Sequence, residues 1–145
     1  MRTRYFALIW GIAFLLAGIA GFIPGLTTMP DPAAHALAVD AGHGRLLGLF
    51  PINILHNVVH LLFGIWGIAA YRTFPAARAY ARSVGVIYLA FAVMGLIPVL
   101  NTTFGLVPLY GHDVWLHLLL GGVAAYFGFA RVDHVEETGA PMRRA

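Results

Sequence analysis

Two pairs of ionisable side chains stand where the chain is otherwise almost wholly apolar. His56 and His60 lie in HNVVHLLFG (56–64), and Asp113 and His117 lie in HDVWLHLLLG (112–121). Each pair is spaced i, i+4, so on a helix both members share one face, about one turn apart. Three imidazoles and one carboxylate can complete a tetrahedral metal shell. Such N/O donors discriminate weakly among Zn, Fe, Mn and Cu(II). Helical bundles build sites of this kind from side chains on facing helices. The Glu of HExxH is missing, so there is no metalloprotease signature. The histidines are too few for a di-iron oxygenase of the desaturase kind, and no nucleophile or acid–base pair is evident. A non-enzymatic binding protein therefore ranks ahead of an intramembrane metalloenzyme.

Three other chemistries remain open. His60 and His117 are each followed four residues later by glycine, Gly64 and Gly121. Glycine one turn from an axial histidine leaves room for a haem or another porphyrin, but glycine equally lets two helices approach closely. The cluster could serve as a proton relay or a small transport path. It could also be only packing glue, Asp113 accepting a hydrogen bond across the bundle and Asn57 extending the network. The chain would then be a structural or accessory subunit of a membrane complex.

The elements that carry these residues follow from composition. Of 145 residues 60% are hydrophobic and only 10% charged, too few charges to cover a water-soluble surface. The chain suffices for a single domain, residues 1–145. It has no cysteine, which excludes disulfides and thiolate metal sites. The net charge is +3, but the arginines are scattered, and a nucleic-acid surface would cluster them. Abundant Ala, Gly and Arg without Lys suggests a GC-rich bacterial genome.

Four apolar runs, at about residues 5–23, 51–71, 84–100 and 113–130, each approach the roughly 20 residues that cross a bilayer as a helix. An all-α, integral membrane four-helix bundle is expected. Arg2 and Arg4 precede the first run, Arg72, Arg78 and Arg82 lie between the second and third, and Arg131, Arg143 and Arg144 follow the fourth. The positive-inside rule puts both termini in the cytoplasm of a bacterial inner membrane. A homo-oligomer or a larger membrane complex is compatible with so thin a bundle. The first run could be a cleaved signal peptide, but it is long for one and has a partner later in the chain.

That partner is the third run: GFIPGL at 21–26 resembles GLIPVL at 95–100. GLFPINILHNVVHLLFG (48–64) also aligns without a gap on GLVPLYGHDVWLHLLLG (105–121). His60 then falls on His117, His56 on Asp113 and Pro51 on Pro108. Two parallel hairpins related by an axis along the membrane normal are expected, with the four ionisable residues meeting near that axis. With Pro51 at the helix start, His60 lies about 13 Å further in, in the outer half of the membrane. The first outer loop, with Asp31, His35, Asp40, His43 and Arg45, is expected to hold a short interfacial helix. Its histidines could cover the cluster or simply be solvated. The polar segment DHVEETGAPMRRA (133–145) is expected to fray.

GFIPG, LFPINILHNVVHLLFG and GHDVWLHLLLG together resemble the bacterial four-helix membrane proteins grouped as domain-of-unknown-function family 4383, from the first run to Ala130. On that pattern His56, Asn57, His60, Asp113 and His117 are the matched positions, and His112 is not. The resemblance implies a small multi-span protein and brings no activity with it.

Overall fold

The computed structural model describes residues 2–130. The expected fraying of 133–145, and the arginines at 131, 143 and 144, lie outside them. Four helices make up most of the fold: α1 (Arg2–Ala20), α2 (Ile54–Ala70), α3 (Phe74–Gly95) and α4 (His112–Phe129). α1 and α3 are long and apolar enough to cross a membrane, with mean hydropathy 1.6 and 1.2, and α2 is a shorter apolar helix. Large apolar side chains face outward on every helix, among them Leu16, Leu62, Val86 and Leu119.

The helix starts differ from the sequence expectation for identifiable reasons. Pro51 does not open α2. It lies in a short strand, and Asn53 caps the helix, its side chain accepting from the His56 N–H. His60 is therefore six residues into α2, about 9 Å from its start, so the site lies nearer the loop end than the 13 Å expected. α3 begins at Phe74, not near Val84, because Thr73 caps it and Pro75 occupies its first turn. Arg78 and Arg82 thus belong to a helix and only Arg72 to the connection. At its other end α3 stops at Gly95, short of Leu100.

The guanidinium groups near the start of α3 satisfy carbonyls at the helix ends. Arg4 Nε donates to Tyr71 O (2.8 Å) at the end of α2. Arg78 and Arg82 Nε donate to Gly128 O (3.2 and 2.9 Å) near the end of α4.

The first long loop does not contain the expected interfacial helix. It folds as a three-stranded antiparallel sheet of β1 (Thr27–Thr28), β2 (Gly44–Leu46) and β3 (Phe50–Ile52), in that order. Arg45 pairs with both Thr28 and Pro51, and Pro51 is tolerated because β3 is an edge strand. Pro30, Pro32 and closely spaced glycines oppose a helix here. Gly44 is needed because a side chain would run into the Thr28 carbonyl.

α1 packs chiefly on α2 and α3 chiefly on α4, while α1 and α4 touch sparingly. Phe6, Phe14, Tyr80, Val84 and Tyr88 fill the core with small alanines between them. The tight crossings recur in the same register. Gly11 abuts Ile68 and Gly85 abuts Ala125; Gly64 abuts Leu15 and Gly121 abuts Leu89; Gly21 abuts Asn57 and Gly95 abuts Val114. Each second member follows from the first by a shift of 74 positions between α1 and α3 and 57 between α2 and α4. Arg4 to Tyr71 and Arg78 to Gly128 obey the same shifts.

Candidate metal centre

The site is assembled by the first two turns of α2 and α4 beneath the sheet. Asn53 sets α2. Fully buried, it accepts from His56 N (2.8 Å) while its Nδ2 donates to Val39 O (2.8 Å) and Leu106 O (2.7 Å). One side chain therefore caps the helix, fixes the backbone of His56 and ties both loops to it. Sequence reasoning missed this residue, although an Asn directly before an apolar run is an N-cap signal. Asp113 lies in the first turn of α4, where a carboxylate is favoured by the helix dipole.

His56, Asp113 and His117 come together. All three are buried, and their ligand atoms lie within 4.8 Å of one another. The set counts one ring nitrogen of each histidine and one carboxylate oxygen; a tetrahedral ion held at about 2.0–2.1 Å spaces its ligands about 3.4 Å apart. The ring protons are placed by the acceptors. His56 Nδ1–H donates to Pro51 O (3.2 Å), His60 Nδ1–H to His56 O (3.1 Å) and His117 Nδ1–H to Asp113 O (2.8 Å). A carbonyl can only accept, so each neutral ring keeps a lone pair on Nε2. Metal-binding histidines are commonly oriented by such a bond from the other nitrogen.

Asp113 is 2% exposed. Its Oδ2 lies 3.1 Å from His117 Nδ1, yet that N–H is spent on the Asp113 carbonyl, and among the described residues Oδ2 finds no hydrogen-bond donor. A buried carboxylate oxygen without a donor is costly unless a cation or proton reaches it.

His60, expected as a fourth ligand, stands outside this trio. Its ring stacks on His56 (centroids 4.5 Å apart) and lies 5.6 Å from Phe14. Asn57 does not bond to a site histidine; its Nδ2 donates to Gly21 O (2.9 Å), fastening α2 to the end of α1. His112 is exposed. His43 bonds to Asp40 and Tyr110, and His35 accepts from Asn101 Nδ2, so the loop histidines join loop segments to each other rather than covering the trio. Tyr88 packs its ring on His117 (4.6 Å) and Phe91 meets it edge-on (5.7 Å).

The trio borders a chamber of about 150 Å³ roofed by Leu46, Leu47 and Phe50. That exceeds the roughly 30 Å³ of one water and is well below the roughly 300–1,000 Å³ of organic ligand pockets. Leu15 and Leu89 fill the spaces beside Gly64 and Gly121. An ion fits, whereas a porphyrin between His60 and His117 does not.

No curated protein and no solved structure matches the chain. A family model described as a domain of unknown function, DUF4383, matches residues 4–130, and the chain belongs to that family.

Proposed function

We propose that this is a small multi-pass membrane protein that holds a divalent transition metal at His56, Asp113 and His117 and is not itself an enzyme. The observation that carries the reading is the donor-less Oδ2 of Asp113, buried beside two imidazoles whose Nδ1–H groups are committed to carbonyls. The three residues would supply two Nε2 lone pairs and a carboxylate, leaving further coordination to water in the chamber. Bound metal would act there as a fixed positive charge that compensates the carboxylate.

The outward apolar side chains of all four helices support a bilayer setting, and α1 and α3 have the length for it. The arginines at the end opposite the sheet support a bacterial cytoplasmic membrane with that end inside. The recurrence of the crossings by shifts of 74 and 57 positions supports two related hairpins about a common axis.

The test is to purify the chain in mild detergent and measure metal content and absorption on one sample. About one metal per chain, lost in His117→Leu, is expected. A metal-free protein from metal-supplemented buffers would leave the cluster as packing glue. A Soret band would replace the metal reading with a haem one.

A further inference from the structure

A second cavity opens on the flank of the same site. Where α1 and α4 touch sparingly, a groove of about 330 Å³ runs between Trp10, Ala13 and Phe14 on one wall and Leu116 and Leu120 on the other. It shares Ala17, His60, Leu116 and Leu120 with the metal chamber, and among the described residues His60 is its only ionisable lining residue. At the opposite seam, between α2 and α3, Phe63 and Trp66 meet Tyr88 and Tyr80 edge-on instead.

His60 gives this groove a chemical preference. Its Nδ1–H is committed to His56 O, so Nε2 is left as an acceptor. Acyl chains have no donor for it. A molecule that reaches His60 sideways from lipid must be apolar along its length and carry a donor such as a hydroxyl. Trp10 and Phe14 make the α1 wall aromatic, which favours a flat ring at that hydroxyl over an aliphatic alcohol. The volume sits near the lower bound of ligand pockets, roughly 300 Å³, and suits one ring with the start of a tail.

We propose that the groove between α1 and α4 binds a lipid-soluble phenol or quinol whose ring hydroxyl donates to Nε2 of His60. This rests on the membrane placement argued above, and it puts the ring hydroxyl beside the metal chamber without making it a ligand. Phenol and quinol share the recognising group.

The test uses the full chain in phosphatidylcholine nanodiscs and tritiated 4-decylphenol, with empty nanodiscs as the partition background. The competitors are unlabelled 4-decylphenol, its methyl ether and a decyl-tailed benzoquinol. Saturable binding is expected, with the ether competing at least tenfold more weakly than the phenol. The quinol competes as well as the phenol, or better if the natural ligand is a quinol. His60→Phe keeps a flat ring against His56 and Phe14 and should erase the preference for phenol over ether. Ala13→Trp, at an exposed position on the groove wall, should abolish saturable binding.

No saturable binding, an ether that competes equally, or a preference that survives His60→Phe would each overturn the proposal. Should Ala13→Trp fail to fold, His60→Phe still decides. Metal content on the same samples separates the two readings. Phenol preference in a metal-free protein sinks only the metal site, and metal retained without preference sinks only the groove ligand.

Discussion

Asp113→Asn should raise the stability of the metal-free protein and lower that of the metal-loaded one. The side chain is 2% exposed and its Oδ2 has no donor. Desolvating a carboxylate carries a penalty of several kcal/mol even after relaxation. Against that stand the helix-dipole attraction, about 0.5 kcal/mol, and the electrostatic attraction of the His117 ring 3.1 Å away, about 1 kcal/mol. Removing the charge at nearly constant volume should therefore gain roughly 1–2 kcal/mol without metal. With metal at a hundred times its dissociation constant, the wild type gains about 2.7 kcal/mol. If losing the carboxylate weakens binding about a hundredfold, the variant gains only about 0.4 kcal/mol at the same concentration. For a chain of this size 1 kcal/mol is about 4 °C in Tm. Metal should thus raise the wild-type Tm by roughly 10 °C and the variant's by about 2 °C, while with chelator the variant melts higher. The assay is thermal unfolding in detergent, with chelator and with added metal, checked by metal content. A variant that melts lower than wild type in both conditions, with an unchanged response to metal, would refute the reasoning and make Asp113 a structural acceptor.

Asn53→Ala should cost about 3 kcal/mol, because it removes an N-cap and orphans the carbonyls of Val39 and Leu106; denaturant or thermal unfolding measures it, and a loss under 1 kcal/mol would contradict the capping role. Gly11→Ala and Gly85→Ala should each destabilise by about 1–3 kcal/mol, since a methyl at either position would meet backbone atoms of the facing helix at 2.7–2.8 Å. Matching losses would support the related hairpins, and a neutral Gly85→Ala would count against them. Since the chain has no cysteine, single cysteines report topology cleanly. Met29→Cys and Val99→Cys, at positions 84% and 78% exposed, should react with an impermeant thiol reagent from outside the cell, and Pro75→Cys only after permeabilisation. Labelling of Pro75→Cys in intact cells would reverse the threading. Metal occupancy should fall as the pH drops, because protons compete for the Nε2 lone pairs; occupancy independent of pH between about 5 and 8 would argue against histidine ligation.

Much of the helical framework was legible because hydrophobic runs and terminal signals are local. Each apolar run corresponds to a helix, and the aligned segments 48–64 and 105–121 predicted that His60 and His117 would sit at equivalent places. Both make the same bond to the carbonyl four residues back. The boundaries were less legible. Arg78 and Arg82 read as loop because they are charged, yet a helix tolerates them where they donate to Gly128 O. The sheet was missed because its strands are two or three residues long and form only by pairing across distant positions, Thr28 with Arg45 and Arg45 with Pro51.

That His56 pairs with His60 and Asp113 with His117, each pair on one face of its helix, could be read from spacing alone, since i, i+4 on a helix fixes a common face. Which of them converge could not. That depends on the rotation and depth of each helix, set by close approaches such as Gly64 on Leu15 and Gly121 on Leu89, and on Asn53 holding the start of α2 to both loops. The tertiary structure alone grouped His56 with Asp113 and His117 and turned Asn57 toward Gly21. It also left His60 lining a groove between helices that scarcely touch. Periodicity along one helix is a property of the chain, whereas the distance between two side chains on different helices is a property of their packing.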